Sequence, residues 1–176
     1  MVCYREIKSD ELNMDLFRAF QRRQVVTDCW RKENGKWTIK SAPFIDDWGE
    51  EEYQELIRCL ANTITGGGLV YGAFIRNELK GFLSVEGQLA GSRFQYLDLS
   101  SIHVSQDVRG QGIGKNLFSA AKRFARGKNA KKLYISAHSA VESQAFYRAM
   151  GCKEAEEYDA GHVKREPYDC QLEYVL

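Results

Sequence analysis

Three glycines at alternate positions, Gly110, Gly112 and Gly114, separate a strand-like run from a long helical stripe, and no other feature constrains the fold as tightly. Tyr96–Val104 reads as a strand. Ile113, Leu117, Ala120 and Phe124 then recur at helical spacing, and Lys132–Ala137 reads as a compact second strand. Strand, helix, strand in that order is what a parallel pair with a crossover helix requires. Upstream, Leu69–Ile75 and residues 79–85 read as strands joined by a short turn at Arg76, Asn77 and Glu78. These runs look like consecutive antiparallel neighbours, so the fold class is α+β with a mixed sheet.

The rest of the pattern fills in around that centre. Residues 3–7 read as an opening strand, and Leu12, Leu16, Phe17 and Phe20 as one amphipathic helix. Asn34-Gly35 lies between two β-prone runs and predicts a type I′ hairpin, an insertion at about 24–41. Its register puts Glu33 opposite Lys36 and Trp30 opposite Ile39, with Trp30, Trp37 and Ile39 on one face. Asp47 to Glu50 has capping-box spacing ahead of a helix through Tyr53, Leu56, Ile57, Leu60 and Ile64, stopped by Gly66 to Gly68. Ser139 to Glu142 predicts a second capping box, opening a helix to Met150 with Gly151 as terminator. Strands near residues 152–157 and 169–175 close the chain. No repeat or linker divides it, so residues 1–176 are expected to form a single domain.

Composition excludes several classes. The chain carries 25 Lys and Arg against 24 Asp and Glu, a net charge of +1, which gives no reason to expect nucleic acid or a membrane surface as partner. No apolar run approaches the roughly 18–20 residues of a membrane span. The first residues are charged and lack a signal-like apolar stretch, so a cytoplasmic location is expected. Five widely spaced cysteines and three scattered histidines show neither a disulfide framework nor metal-ligand spacing, so no metal is expected.

The glycine-rich turn carries the chemistry. Glycine lets backbone approach a ligand closely, and the first-turn N–H groups of a helix are unpaired donors at its positive end. That combination suits a phosphate, here a pyrophosphate, with Arg109 and Lys115 adding positive charge. The Walker pattern is absent, and the dinucleotide fingerprint needs an early βαβ unit with an acidic residue about 20 positions on. Taken alone, the segment also reads as a glycine-eased loop into a helix with no ligand.

Two segments together say more. Arg109, Gly112 and Gly114 match [RQ]-x-x-G-x-[GA], and Ser143-Gln-Ala-Phe-Tyr-Arg-Ala-Met-Gly151 follows some thirty residues later. In that order, residues 69–151 resemble the GNAT superfamily of N-acetyltransferases. The resemblance implies a mostly antiparallel sheet flanked by about four helices, with Tyr96–Val104 and Lys132–Ala137 splayed apart around acetyl-CoA. Its pantetheine would run beside Ile102, His103 and Val104. Its pyrophosphate would sit on Arg109, Gly110, Gln111, Gly112, Ile113, Gly114 and Lys115. Tyr147 carries over as the general acid. Ala140 stands where many members have an Asn that contacts the coenzyme arm, and Ser139, Ser143 or Gln144 is the expected substitute. Tyr96 stands where some members carry a glutamate base, so that role does not transfer.

The expected function is transfer of an acetyl group from acetyl-CoA to an amine of a small molecule or peptide, by direct attack in a ternary complex. A second reading is a catalytically inactive coenzyme-A-binding regulatory module, and a third is a nucleotide-binding protein that takes NAD or ATP. A lysine-like amine needs roughly 4–5 kcal/mol to be neutral at pH 7, so a base helps. Asp98, an acid between Leu97 and Leu99, and Glu86, at the end of a neighbouring strand, are the two candidates; each also reads as a solvent-facing or paired carboxylate. His138 ends a strand near the cleft and is given no role. Trp30 and Trp37 read either as anchors of the hairpin or as an aromatic wall of the acceptor pocket. The expected partners are acetyl-CoA and an amine acceptor, with a homodimer left open.

Overall fold

A computed structural model describes residues 1–176. Seven strands form the main sheet: β1 (Cys3–Glu6), β4 (Leu69–Ile75), β5 (Glu78–Val85), β6 (Tyr96–Val104), β7 (Lys132–Ala137), β8 (Lys153–Glu154) and β9 (Cys170–Val175). They lie in the order β1-β4-β5-β6-β7-β9-β8. Every pair is antiparallel except β6 with β7, joined over the helix α3 (Ile113–Gly127). β2 (Arg23–Glu33) and β3 (Lys36–Asp47) form a separate two-stranded sheet. The remaining helices are α1 (Met14–Phe17), α2 (Glu50–Thr65), α4 (Val141–Met150) and α5 (Ala160–Arg165).

β4 and β5 are buried on both faces, which is why their sequences run apolar without alternation. One face carries α1 and α2, where Phe17, Phe20, Tyr53, Leu56 and Leu60 meet Val70, Phe74, Leu79 and Phe82. The other carries α3, whose stripe of Ile113, Leu117, Phe118 and Ala121 packs on Ala73, Leu83, Leu97 and Leu99. Each buried Val, Leu, Ile or Phe among them stabilises the fold by about 1.5–3 kcal/mol. Helical layers thus cover β4 and β5 from both sides, and α3 backs β6 through Leu97 and Leu99.

The predicted strands 69–75, 96–104 and 132–137 agree with the structure to the residue, and α3 starts at Ile113, within the glycine-rich stretch as expected. Asn34 and Gly35 both take positive φ, and the hairpin pairs Glu33 with Lys36 and Trp30 with Ile39 as expected. Its strands run further than 24–41, however, and claim Asp46 and Asp47. The cap of α2 therefore moves to Gly49, whose N–H donates to Glu52 (2.8 Å), and Asp47 faces Arg23 instead. The helix expected across Leu12 to Phe20 is a 3₁₀ turn, Ser9–Glu11, and the single turn α1. Asn13 restarts the chain by accepting from the Leu16 N–H (3.1 Å), and this one turn already buries Phe17.

Ser139 caps nothing; its hydroxyl accepts from Arg31 (2.7 Å), and Ala140 is the N-cap of α4. The strand expected at 152–157 is only two residues long. Downstream, Asp159 caps α5 by accepting from the His162 N–H (2.9 Å), a fifth helix where about four were expected.

Candidate active site

β6 and β7 pair only at Tyr96–Lys132, Leu97–Leu133 and Asp98–Tyr134, and then part. The physical cause lies on β6's other edge. There Ser84 pairs with Ser101 and Val85 with Leu99, so Ser100 is an extra residue, a bulge that bends the strand. Beyond Asp98 the β7-facing edge of β6 has no strand partner. It is open to an extended ligand that can add as a strand. The parting opens a groove of about 820 Å³.

At one end of the groove lies the entrance to α3. Gly110 and Gly112 both hold φ +79, the left-handed region that glycine occupies without strain, and no atom lies within 4 Å of where a Cβ would stand. Gly112 is the N-cap and offers no side-chain acceptor, so the N–H groups of the first turn remain free for an anion at the positive end of the helix. Gly114 serves a different purpose: a Cβ there would stand 3.0 Å from Phe146, so its absence lets α3 pack close against α4. Arg109 and Lys115 line the groove, and the Arg109 Nε donates to the Val104 carbonyl (3.2 Å).

Most of the sequence-predicted site residues gather here. Ile102, His103, Val104, Arg109, Gly110, Gly112, Ile113, Gly114, Lys115, Ser143 and Tyr147 all line the groove. Gln111 does not, and is exposed. Gln144 is buried away from the groove, where its Nε2 donates to the His138 carbonyl (2.8 Å) and ties α4 to the end of β7. Tyr147 is half-buried, and burial, followed by Cys152 and Asp169, holds its phenol protonated well above the ordinary range. It can donate a proton at neutral pH.

The carboxylates divide. Asp98 is not at the groove: it lines a separate small pocket and is bound to His162 of α5, Oδ2 to Nε2 at 2.6 Å. Glu86 accepts from Thr63 (2.8 Å) and from Ser100 (2.7 Å), and Ser100 itself lines the groove at the bulge. A half-buried carboxylate thus touches the cleft through one hydroxyl.

Trp30 and Trp37 are not among the groove's residues. Trp30 lies under the Arg148 guanidinium (4.6 Å), and its backbone N–H donates to the Ser139 carbonyl (2.8 Å). The Trp37 indole donates to Glu154 (3.1 Å). Their face of the hairpin clamps onto α4 and β8, which is the anchoring reading. The hairpin's end of the groove comes instead from Arg22 and Gln24.

His138 lies near the cleft as the sequence implies, though with no role assigned to it there, and sequence reasoning missed the acids on the same side. His138 lines the groove, its Nδ1 accepting from the Ala140 N–H (3.0 Å) and its ring 5.4 Å from Phe44. Glu142, Glu166 and Asp169 make that side acidic, and burial raises the Asp169 pKa although Ser136 donates to it (3.1 Å). Glu166 and Asp169 follow α5, and no local signal tied that segment to β7. No group of three or more His, Cys, Asp or Glu side chains is placed to hold a metal ion.

The acetyltransferase (GNAT) family model matches residues 27–152. No curated protein matches the chain significantly in sequence. Among solved structures, a Bacillus anthracis protein provisionally described as streptothricin acetyltransferase, in complex with acetyl coenzyme A, superposes with a TM-score of 0.72. It is 18% identical, over 100% of this chain and 99% of that one. The PaiA N-acetyltransferase of Thermoplasma acidophilum, in complex with coenzyme A, gives 0.62 at 18% identity over 100% and 99%. Nourseothricin acetyltransferase gives 0.66 at 17% identity over 98% and 95%. The family match spans the parting strands, the glycine turn and the Tyr147 helix, and the chain belongs to the GNAT family of acetyltransferases.

Proposed function

We propose that residues 1–176 act as one N-acetyltransferase domain that moves the acetyl group of acetyl-CoA directly to an amine. The observation that carries this reading is the groove itself: an unpaired strand edge leads from the free N–H groups at the start of α3 to a bulge bearing a carboxylate-linked hydroxyl. Acetyl-CoA supplies the thioester. The N–H groups of residues 113–115, with Lys115 and Arg109, hold its diphosphate, and the open edge of β6 near Ile102 and Val104 holds the pantetheine arm. The complexes of the Bacillus anthracis and Thermoplasma acidophilum proteins with acetyl coenzyme A and coenzyme A support this assignment.

Tyr147 donates the proton that the departing thiolate needs. Glu86 draws a proton from the acceptor amine through the Ser100 hydroxyl or a water beside it. It is preferred to Asp98, whose Oδ2 is engaged by His162. Release of free thiol from acetyl-CoA in the presence of a panel of amines tests the function. Amine-dependent release that falls about 10²-fold or more in Glu86→Gln supports it. Tight coenzyme binding with no release for any amine would instead mark a coenzyme-binding regulatory module.

A further inference from the structure

Arg22 is a charged side chain that the proposed chemistry leaves without a task. It is only 8% exposed, yet it lines the groove. A guanidinium carries five N–H donors. Its Nη2 meets Asp46 at 2.6 Å, while Nε and Nη1 are buried with no partner at all. Unpaired donors of a buried cation are costly, so a groove-lining guanidinium with two of them calls for an acceptor from outside the protein to complete the set. The surroundings reinforce the excess of positive charge. Arg109 shares the neighbourhood, and its pKa is pushed down by burial and then by the charge of Arg22. His103 is held neutral, its pKa pushed down to about 3 by burial and then by the same two arginines. Two guanidiniums therefore face one carboxylate.

The position of Arg22 indicates whose anion it awaits. Its guanidinium stacks on Trp48 (5.0 Å), Trp48 packs on His103 (5.0 Å), and His103 packs on Phe82 (5.3 Å) in the α1–α2 layer. That is the face of β6 opposite α3, whose N-terminus is the proposed seat for the coenzyme phosphates; Arg109 comes near Arg22 because its side chain turns back from that seat to the Val104 carbonyl (3.2 Å). Acidic side chains, Glu142, Glu166 and Asp169, occupy the far side of the same groove and turn an acceptor carboxylate away from it.

We infer that Arg22 receives a carboxylate of the acceptor, making it a specificity-determining residue for acceptors that carry an amine and a carboxylate some distance apart. This rests on the proposed N-acetyltransferase reading. The strand sets the scale of the spacing: Arg22 meets β6 at His103 by way of Trp48, and His103 lies three residues, roughly 10 Å at about 3.3 Å per residue, from Ser100. An α-amino acid reacting at its own α-amine is too short to reach both points. An extended tripeptide spans about 10 Å and fits.

The test compares Gly-Gly-Gly with its C-terminal amide as acceptors, in the wild type, Arg22→Lys and Arg22→Gln, with coenzyme A affinity measured by calorimetry. The wild type should favour the free carboxylate by about 10- to 100-fold in kcat/KM. Arg22→Gln should bring the two peptides within about threefold of each other with the coenzyme dissociation constant unchanged, and Arg22→Lys should fall between. Equal use of the two peptides by the wild type, which needs no variant to fold, overturns the inference. So does an Arg22→Gln coenzyme affinity that falls as far as kcat/KM, because the guanidinium would then serve the coenzyme phosphates. Transfer to neither peptide also overturns it; transfer to none of the wider amine panel removes the N-acetyltransferase reading itself.

Discussion

Gly112→Asp separates binding from folding at the phosphate seat. Gly112 holds φ +79, and a Cβ built there meets no atom within 4 Å, so the new side chain clashes with nothing in the protein. Left-handed backbone costs a residue other than glycine about 1–2 kcal/mol, and less for Asp, which visits that region more readily. A carboxylate at the N-terminus of α3 returns about 0.3–1 kcal/mol through the helix dipole. The two nearly cancel, and for a chain of this size the midpoint of thermal unfolding should fall by no more than about 4 °C. Binding is another matter. A carboxylate roughly 5 Å from two diphosphate charges repels them by about 2 kcal/mol in water-like surroundings and about 7 kcal/mol in a partly buried site. That separation lies inside the screening length of about 10 Å at 0.1 M salt, so the repulsion persists in buffer. Calorimetry with coenzyme A should therefore show at least a tenfold weaker dissociation constant, beside a near-native melting curve. A dissociation constant within threefold of the wild type would falsify the assignment of this turn as the phosphate seat.

Tyr147→Phe removes one oxygen from a groove-lining ring and should lower kcat by about 10²-fold or more while leaving the coenzyme dissociation constant intact; undiminished kcat takes Tyr147 out of the chemistry. The His162–Asp98 pair should make α5 pH-sensitive. The hydrogen bond to Asp98 raises the His162 pKa above its ordinary value of 6.5, so the charged pair's contribution is fully present below about that pH. It is lost as pH rises through the higher folded-state value. His162→Gln should therefore lower the melting temperature more at pH 6 than at pH 9, and an equal loss at both would deny the ion pair a role. Trp37→Ala breaks the indole bond to Glu154 and should cut stability by about 1–3 kcal/mol, read by urea unfolding, with the KM of both substrates unchanged. A selective rise in acceptor KM would return Trp37 to the pocket wall.

The signals that proved legible are local ones. Residues 96–104 and 132–137 alternate or run apolar within themselves, and Ile113, Leu117 and Ala120 recur at a helical period set by the backbone alone. Asn34-Gly35 names its own turn because positive φ is a property of those two residues. The same holds at Gly110 and Gly112. Where the reading went astray, two local signals competed: Asp47 has capping spacing and also belongs to a strand, and pairing with Arg23 across the hairpin decided between them. Asn13 and Asp159 each carried a cap signal that a closer reading could have used to shorten α1 and to find α5.

By itself, then, the chain's order of residues determined the parallel crossover, the glycine turn and the helix bearing Tyr147, since each is encoded within a short stretch of backbone preference. Tertiary structure alone decided how β6 and β7 part, because the bulge at Ser100 arises from pairing with β5. It also decided which acids face the cleft: Asp98 turns to His162, 64 residues away, while Glu86 reaches the groove through Ser100. Arg22 enters the site for the same reason, since its first neighbours, Asp46 and Trp48, meet it only when the hairpin closes. Periodicity tells which side of an element is apolar, but the contacts of a charged side chain depend on what packs against it.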